Sequence, residues 1–345
     1  MSSAREFEQA YAAHVKGDLA RAERGYRAIR LSMPFEANHN LGVVYVRMGR
    51  LAEAEQAFRA ALAAAPEAAQ PAYALGSLLL AEGRWAEGWP LYEARRGVPG
   101  LTRAAPDVGF PEWRGEELAG KRLLVLGEQG LGDNLMLARF LPQLTARGVE
   151  VVYACPRPLW PVMQDLRVAL TDDESGVTAD AWTLMFSLPL RLGVTPATLP
   201  PPAALSAPAP RTGGGVGVVP AGNPDHKNDA ERSLGPREAA RLLKLGQDLR
   251  PEATGARDFG DTAAIVAGLD LVITVDTSVA HLAGSLGKPV WILLPARETD
   301  WRWLRERQDS PWYPSARLFR QRVPGDWTAV FRRLETELKR LAPAP

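Results

Sequence analysis

From Lys121 onward, short apolar runs alternate with amphipathic stretches that have the 3.6-residue period of a helix. The runs read RLLVLG, VEVVYAC and AWTLMFS in the first part of this region, and GVGVV, LDLVITV and PVWILL in the second part. Apolar strands that alternate with helices are typical of parallel sheets covered on both faces. The pattern therefore predicts two consecutive doubly wound halves, joined by the proline-rich stretch TPATLPPPAALSAPAPRTGGG.

The first hundred residues follow another pattern, in which small and large side chains recur at a period of about 34 residues. The matching positions are Leu41, Gly42, Tyr45, Gly49, Ala54, Phe58 and Pro66, then Leu75, Gly76, Leu79, Gly83, Gly88 and Tyr92, with Gly17, Ala22, Tyr26 and Pro34 upstream. Small residues let paired helices approach closely, large ones fill the gap, and the proline is expected to end the second helix. This period predicts about three tetratricopeptide repeats.

The predicted fold is thus an α-helical tetratricopeptide solenoid followed by an α/β region of two Rossmann-like domains. The predicted boundaries are 1–97 for the repeats, 98–120 for a connector and 121–205 for the first Rossmann-like domain. The second one spans 206–345. Its final helix carries Val330, Leu334, Leu338 and Leu341 on one face and is expected to pack back on a sheet.

Charge and composition exclude several classes of function. The formal net charge is +1 and no long basic run occurs, which argues against a nucleic-acid partner. Cys155 is the single cysteine, and the four histidines have no metal-ligand spacing, so neither a disulfide framework nor a metal site is expected. The first residues have no signal-like apolar core and no run is long enough to span a membrane, so a cytoplasmic location is expected.

Ligands of doubly wound sheets lie beyond the carboxyl ends of the strands, so the candidate residues are sought there. After the first strand comes EQGLGD, where Gly130 and Gly132 allow the backbone amides to face an anion or a sugar. Asp133 begins the following helix. It is interpreted either as a cap or first-turn acid or as a general base that faces a cleft.

The second candidate is the loop GNPDHKNDAERS, which precedes a helix and offers cations and amide donors suited to a diphosphate. Its candidate donor-binding residues are Asn223, Lys227, Arg232 and Ser233. A solvated loop is the alternative, and it is the preferred interpretation for Lys227 and Asp229. Arg232 with Ser233, at the entrance of the helix, is the favoured phosphate-binding pair.

The third candidate is DTSVAHLAGSL, where a buried strand ends and a helix of small residues begins. Asp276 is expected to be the cap that orients the turn, while Thr277 and Ser278 offer amide and hydroxyl donors to a phosphate. His281 is expected to be packed and hydrogen-bonded. Further along, ETDWRWLRE places Asp300 and Trp301 in an aromatic segment that suits either a ring ligand or a plug between domains.

Taken together, EQGLGD, HKNDAERS, DFGDTAAIVAGLDLVITVDTSVAHLAGSLGKPVWILLP, DWRW, SPWYP and RLFRQ make nearly the whole chain resemble one family. These segments are similar to bacterial tetratricopeptide proteins whose transferase domain is related to the ADP-heptose:lipopolysaccharide heptosyltransferases of glycosyltransferase family 9. The resemblance implies a GT-B fold and metal-independent, inverting transfer from a nucleotide-diphosphate sugar. By the same resemblance Asp133 matches the proposed catalytic base, and Asp276, Thr277, Ser278 and His281 match the diphosphate-binding segment.

Two features depart from that family's pattern. Ser278-Val279 stands where the family has Gly-Pro, and the strand near Gln247 is short and polar. The expected function is transfer of a sugar, without a cofactor, to a protein acceptor such as flagellin or another surface protein, or to a glycan or lipid acceptor. Helical repeats before a GT-B domain also resemble the plan of protein O-GlcNAc transferases, whose repeats recruit polypeptides.

Two alternatives are kept beside a transferase. The first is a repeat-based scaffold with an inactive transferase-like domain, for which the short polar strand is the reason. The second is a nucleotide-sugar epimerase or dehydrogenase, which is weakened because neither G-x-G-x-x-G after the first strand nor a Tyr-x-x-x-Lys pair occurs. Peripheral association with a membrane is left open.

Overall fold

The computed structural model describes residues 3–211, 213–226 and 228–341. The chain divides into two compact units. The first comprises residues up to 104 together with the short segment 300–305, and the second comprises 105–299 and the residues from 306 onward. The first unit is helical, whereas the second contains both sheets.

The first unit is built from six helices that follow one another as packed pairs. The helices are α1 (Ser3–Val15), α2 (Leu19–Ala28), α3 (Pro34–Met48), α4 (Leu51–Ala64), α5 (Ala69–Ala81) and α6 (Trp85–Tyr92). A 3-10 turn, Glu93–Gly97, follows the last of them. The predicted helical region is therefore confirmed, while its assignment to tetratricopeptide repeats stays a prediction.

Glycine contacts show why these helices pair. The ring of Phe58 on α4 occupies the space where residue 42 of α3 would carry a Cβ. In the next pair, a Cβ on Gly76 would lie 2.7 Å from the backbone nitrogen of Tyr92. The expectation for the prolines holds only in part. Pro34 is the first residue of α3, where its missing N–H costs nothing, and only Pro66 follows the end of a helix.

The first sheet of the second unit has four parallel strands in the order β3-β2-β1-β4. They are β1 (Arg122–Leu126), β2 (Glu150–Ala154), β3 (Ala169–Thr171) and β4 (Ala181–Leu184), with helices α7 (Leu131–Leu137), α8 (Leu141–Ala146), α9 (Trp160–Met163) and α10 (Leu188–Arg191). The apolar run AWTLMFS is a strand only as far as Leu184, because Met185–Ser187 turn into a 3-10 helix. The short edge strand β3 was not predicted.

The second sheet has five parallel strands in the order β6-β5-β7-β8-β9. They are β5 (Val216–Val219), β6 (Gln247–Asp248), β7 (Leu271–Val275), β8 (Val290–Leu294) and β9 (Ala316–Arg320). The helices are α11 (Asp229–Arg232), α12 (Pro236–Leu243), α13 (Pro251–Thr254), α14 (Phe259–Gly268), α15 (Ser278–Ser285) and α16 (Thr328–Leu341). As expected, α16 packs on a sheet, since Val330, Phe331 and Leu334 join the core of β5, β7 and β8.

Candidate functional site

Two of the predicted strand exits meet in the second unit. Helix α7, which follows β1, packs directly on α15, which follows β7. A Cβ on Gly132 would lie 2.6 Å from Cδ2 of His281 and 3.2 Å from Cα of Ser278. Real Cβ atoms do not approach a neighbour at the shorter distance, so glycine at 132 is what permits the contact. The structure thus brings together EQGLGD and the start of DTSVAHLAGSL.

Asp133 is the third residue of α7 and is half-buried. Its Oδ2 accepts a hydrogen bond of 2.8 Å from the backbone N–H of Gly130, the N-cap residue. This is one half of a capping box, and it satisfies a backbone donor at the helix start. The geometry therefore agrees with the interpretation of Asp133 as a cap or first-turn acid. A carboxylate has about four lone-pair sites, so the cap bond is compatible with a second task.

A buried polar scaffold supports this loop, and sequence reasoning missed it. The Glu128 carboxylate accepts a 2.9 Å bond from the backbone N–H of Phe186, and the side chain is only 4% exposed. Asn134 donates to the carbonyl of Gly130 at 2.8 Å and accepts from the Tyr153 hydroxyl at 2.6 Å. Burial holds the pKa of Tyr153 well above its ordinary value, so that hydroxyl remains a donor. In the sequence, the only sign of this network is that polar residues stand within otherwise apolar stretches.

Arg232 joins the exit of β5 to that of β7. Its Nη1 donates a 3.1 Å bond to the carbonyl of Asp276, and its Nε donates a 3.1 Å bond to Oδ1 of Asp229. Its Nη2 lies 3.5 Å from the carbonyl of Asn223. The guanidinium is mostly buried, with 15% of its side chain exposed. Arg232 therefore has a structural task at the place where it was predicted to bind a phosphate.

The neighbouring residues of that loop are placed differently from the expectation. Asp229–Arg232 form the short helix α11, and α12 begins only at Pro236, so Ser233 lies between the two helices. Its hydroxyl donates to Asp229 at 2.8 Å and accepts from the N–H of Gly222 at 2.9 Å. Asn223 is exposed and accepts a bond from the N–H of Asp225. The predicted Lys227 lies outside the described residues.

The start of α15 corrects the prediction for Asp276. The N-cap residue is Thr277, with extended backbone, and α15 begins at Ser278, so Asp276 stands one residue before the cap. The Thr277 hydroxyl makes no cap bond and instead lies 2.9 Å from Oγ1 of Thr274. Among the described residues no partner is found for the amides of Ser278 and Val279. This helix start thus has amide donors that a ligand could accept from.

His281 is packed and hydrogen-bonded. It is the fourth residue of α15, is 4% exposed, and its Nδ1 lies 3.0 Å from the Tyr313 hydroxyl. Because side chains on a helix tilt toward its N-terminus, the ring lies over the first turn of α15. This arrangement places an imidazole beside the junction of the two strand exits.

Asp300 and Trp301 belong to the first compact unit, with the helices. The Trp301 ring lies nearly perpendicular to the ring of Trp89, with centroids 5.3 Å apart, and 5.6 Å from that of Tyr92. Asp300 caps the following turn through the N–H of Arg302 at 3.0 Å and forms an ion pair with its guanidinium at 2.6 Å. The segment is therefore an aromatic anchor in the helical unit, and Trp301 does not offer an open face to a ring ligand.

Two absences hold for the described part of the chain. No group of three or more His, Cys, Asp or Glu side chains there is arranged to hold a metal ion. Nor does any described helix combine the length and apolarity needed to cross a membrane.

Comparison with known proteins gives likenesses of two kinds, and no family model matches the chain. Protein FlbA of Caulobacter vibrioides is 29% identical over 387 aligned positions, which cover 91% of this chain and 63% of the relative. The chain therefore spans less than two thirds of that protein's length.

Glycosyltransferases are among the solved structures that resemble the chain. The dodecameric, iron-containing glycosyltransferase TibC of enterotoxigenic E. coli H10407 has 14% identity and a TM-score of 0.45, covering 65% of this chain and 78% of its own. A family 9 glycosyl transferase of Veillonella parvula DSM 2008 has 14% identity and a TM-score of 0.38, covering 67% and 92%. An O-GlcNAc transferase mutant of Thermobaculum terrenum covers 93% of this chain at a TM-score of 0.25, with 14% identity and 57% of its own chain.

Proposed function

We propose that this chain is an inverting glycosyltransferase that moves a sugar from a nucleotide-diphosphate sugar to a hydroxyl group of an acceptor. The observation that carries the proposal is the meeting of the two strand exits at Gly132. It sets the Asp133 helix beside a helix start whose first amides have no partner among the described residues. The resemblance of the sequence to heptosyltransferases assigns a base to the first helix and a diphosphate site to the second.

The donor side of the site is the start of α15 together with Arg232. The amides of Thr277 and Ser278 lie at the positive end of the helix dipole, where an anion is stabilised. Arg232 adds a full positive charge next to Asp276, and its guanidinium has five N–H donors, not all of which the loop carbonyls and Asp229 occupy. These groups would stabilise the negative charge that grows on the leaving diphosphate. Asn223, Ser233 and Lys227 stay secondary candidates for the same ligand.

The acceptor side is the Asp133 carboxylate. In the proposed step it takes the proton of the acceptor hydroxyl while that oxygen forms a bond to the anomeric carbon. The bond from that carbon to the diphosphate oxygen breaks, and its electron pair leaves with the diphosphate. Attack from the side opposite the leaving group inverts the anomeric configuration. The step balances without a redox partner, and we propose that it needs no metal ion.

The helical unit is proposed to be a tetratricopeptide array that recruits the acceptor. A small groove between its helices is lined by polar side chains, among them Arg27, Asn38, Tyr45, Glu53 and Gln56. Such a surface suits a polypeptide, so a protein acceptor is favoured over a glycan or lipid.

The test is a donor screen. Thermal unfolding is followed with the diphosphate-linked UDP-, GDP- and ADP-sugars, including ADP-heptose, which is the ligand in a TibC structure with 16% identity and a TM-score of 0.42. CMP-linked sugars, which carry one phosphate, are the control and should give no shift. We expect one nucleotide class to raise the melting temperature in proportion to its concentration. Release of the nucleoside diphosphate in the presence of an acceptor then measures turnover. If no nucleotide class raises the melting temperature, the proposal is overturned and the inactive scaffold is favoured, for which the two-residue strand β6 is the structural reason.

Arg232→Ala tests the diphosphate assignment by calorimetry. Loss of a charge-assisted hydrogen bond should weaken binding of the nucleoside diphosphate by about 1.5–3 kcal/mol, roughly 10- to 150-fold in Kd. Arg237→Ala is the matched control, since Arg237 is exposed on α12 and should leave the affinity unchanged. Equal affinities for the wild type and Arg232→Ala would remove Arg232 from the site.

A further inference from the structure

Two buried polar side chains connect the second strand of the first sheet to the start of the Asp133 helix. Tyr153 is the fourth residue of β2 and is fully buried, and Asn134 is the fourth residue of α7 and is 1% exposed. The Tyr153 hydroxyl lies 2.6 Å from Oδ1 of Asn134, and Nδ2 of Asn134 lies 2.8 Å from the carbonyl oxygen of Gly130. A chain of two hydrogen bonds therefore leads from β2 to the N-cap residue of α7.

The donors and acceptors of this chain have one consistent arrangement. A backbone carbonyl can only accept, so the side-chain amide of Asn134 must present Nδ2 to Gly130 and its oxygen to Tyr153. An amide oxygen can only accept as well, so the Tyr153 hydroxyl must donate its proton to Oδ1. Burial holds the pKa of Tyr153 well above its ordinary value, which keeps that proton in place. The direction from Tyr153 to Gly130 thus follows from groups that can only accept.

Glycine at position 127 is what allows the Asn134 side chain to lie here. Gly127 directly follows β1, and its N–H donates a 2.8 Å bond to the carbonyl of Ala154 at the end of β2. A Cβ on Gly127 would overlap Oδ1 of Asn134 and would lie 2.9 Å from the carbonyl oxygen of Ala154. Any larger residue would therefore displace the amide group from the end of the strand.

Gly130 is held at both of its backbone polar groups by consecutive side chains of α7. Its N–H donates to Oδ2 of Asp133 at 2.8 Å, and its carbonyl accepts from Nδ2 of Asn134 at 2.8 Å. The preceding residue, Gln129, has a φ of 61°, a left-handed conformation that costs free energy for a residue with a side chain. Such a conformation persists only where its surroundings hold it. The bond from Asn134 is one of the contacts that hold this turn, and with it the direction of the Gly130 N–H.

We infer that Tyr153 and Asn134 are positioning residues for the Asp133 carboxylate. Tyr153 holds the side-chain amide of Asn134, Asn134 holds the Gly130 peptide, and the Gly130 N–H holds Oδ2 of Asp133. The inference rests on the proposed function only for what the carboxylate does, which is to take the proton of the acceptor hydroxyl. A phenol buried in the first sheet thereby sets the orientation of the proposed base.

The test follows the Gly130 amide, because its hydrogen exchange reports on the bond to Asp133. Gln129-Gly130 is the single Gln-Gly pair in the sequence. Full-length protein labelled with carbonyl-13C glutamine and 15N-glycine therefore gives one carbonyl-correlated amide signal, that of Gly130. Its exchange with solvent is measured by NMR near neutral pH without ligand. Asp133→Ala, which lacks the acceptor, gives the exchange rate of the amide without this bond.

Tyr153→Phe removes the hydroxyl and keeps the ring, so Oδ1 of Asn134 loses this donor in a buried place. We expect the Gly130 amide to exchange roughly two- to tenfold faster than in the wild type, the scale of one net hydrogen bond, and no faster than in Asp133→Ala. Asn134→Ala is the second variant and should act in the same direction, because it removes the donor to the Gly130 carbonyl.

Thr183→Val is the matched control. It removes a hydroxyl that is also fully buried in the first sheet, on β4, and that lies 3.4 Å from the carbonyl of Leu184 on its own strand. The Gly130 exchange rate should stay at the wild-type value in this variant. Urea unfolding gives the free energy of unfolding of every variant for comparison.

Two outcomes would overturn the inference. In the first, Tyr153→Phe or Asn134→Ala unfolds at a lower urea concentration but keeps the wild-type exchange rate of Gly130, which shows a role in stability alone. In the second, Thr183→Val accelerates the exchange of Gly130 as much as Tyr153→Phe does, which shows that the effect is not carried by the bond to Asn134.

The exchange measurements need no substrate, so they separate this inference from the proposed function. If the rates are as expected and no nucleotide sugar binds, the positioning of Asp133 stands and the transferase proposal fails. If a donor binds and turns over while Tyr153→Phe keeps the wild-type exchange rate, only the positioning fails. Where both hold, Tyr153→Phe should lower kcat by roughly two- to tenfold and leave the Kd of the nucleoside diphosphate unchanged.

Discussion

Asp133 can be a helix cap, a catalytic base, or both, and two substitutions separate these roles. Asp133→Ala removes the acceptor of the Gly130 N–H, which lies 2.8 Å away, together with the charge. Asp133→Asn keeps an oxygen of similar position and removes only the charge and the basicity. The two variants therefore differ in the cap bond but share the loss of the base.

The expected magnitudes follow from the geometry. Loss of a capping acceptor costs about 1 kcal/mol of folding free energy, with a range of roughly 0.5–2. Loss of the charge alone, at a half-buried helix start, costs about 0.3–1 kcal/mol. Asp133→Ala should therefore be about 1 kcal/mol less stable than the wild type, and Asp133→Asn should fall between them. Both variants should lose turnover by roughly 10²- to 10⁴-fold if the carboxylate is the general base.

Urea unfolding followed by tryptophan fluorescence measures the stabilities, and release of nucleoside diphosphate measures turnover once a donor is known. Binding of the nucleotide should stay near the wild-type value in both variants, because the proposed donor contacts lie on α15. The reasoning on the base is refuted if Asp133→Asn keeps more than about a tenth of the wild-type kcat. The reasoning on the cap is refuted if Asp133→Ala unfolds at the same urea concentration as the wild type.

Three further outcomes are expected from the contacts. Gly76→Ala should lower the free energy of unfolding by about 1–3 kcal/mol, because its Cβ would meet backbone atoms of α6. This loss exceeds the gain of about 1 kcal/mol in helix propensity. Gly176→Ala, with open space around its Cβ, is the control in the same urea titration. Gly132→Ala should lower both the free energy of unfolding and kcat, since its Cβ would push against His281 and part α7 from α15. A variant with the urea midpoint and the kcat of the wild type would contradict this. Cys155 should react with a thiol reagent at pH 8 only on unfolding, because burial raises its thiol pKa to about 12 and leaves almost no thiolate in the folded chain; rapid labelling of the native protein would count against it.

The sequence revealed most of the sheet cores because their strands are continuous apolar runs. Strands β1, β2, β5, β7 and β8 all lie inside predicted runs. The edge strands β3 and β9 were missed for a physical reason. β9 (ARLFR) mixes half-buried arginines with buried apolar residues, and β3 (ALT) has no buried residue, so neither strand shows a continuous apolar run. Such a strand is recognised only when its neighbour in the sheet is known.

The sequence predicted which loops lie at the strand exits better than it predicted the contacts within them. Its loops follow from a general rule about strand ends, and the rule identified Gly132, Asp133 and the start of α15 correctly as neighbours of strand exits. The cap assignment for Asp276 was wrong, because the choice between two adjacent residues depends on one backbone dihedral pair that no pattern encodes. The hydrogen bond from Arg139 to the carbonyl of Trp312 could not be foreseen either, since the two residues lie 173 positions apart in the chain.

The two helix starts that meet at Gly132 differ in their capping groups, and this difference is the basis for the two sides of the proposed reaction. At α7 the Asp133 carboxylate accepts a hydrogen bond from the N-cap amide of Gly130, and its negative charge would repel an incoming anion. At α15 the cap hydroxyl turns to Thr274 instead, and the first amides keep their capacity for a ligand. Under the proposed function, the anionic leaving group would lie at α15 and the acceptor hydroxyl at α7. Because Gly132 of α7 lies against the first turn of α15, the proposed base and the proposed diphosphate site would be adjacent, while the carboxylate would lie on a different helix from the phosphate donors.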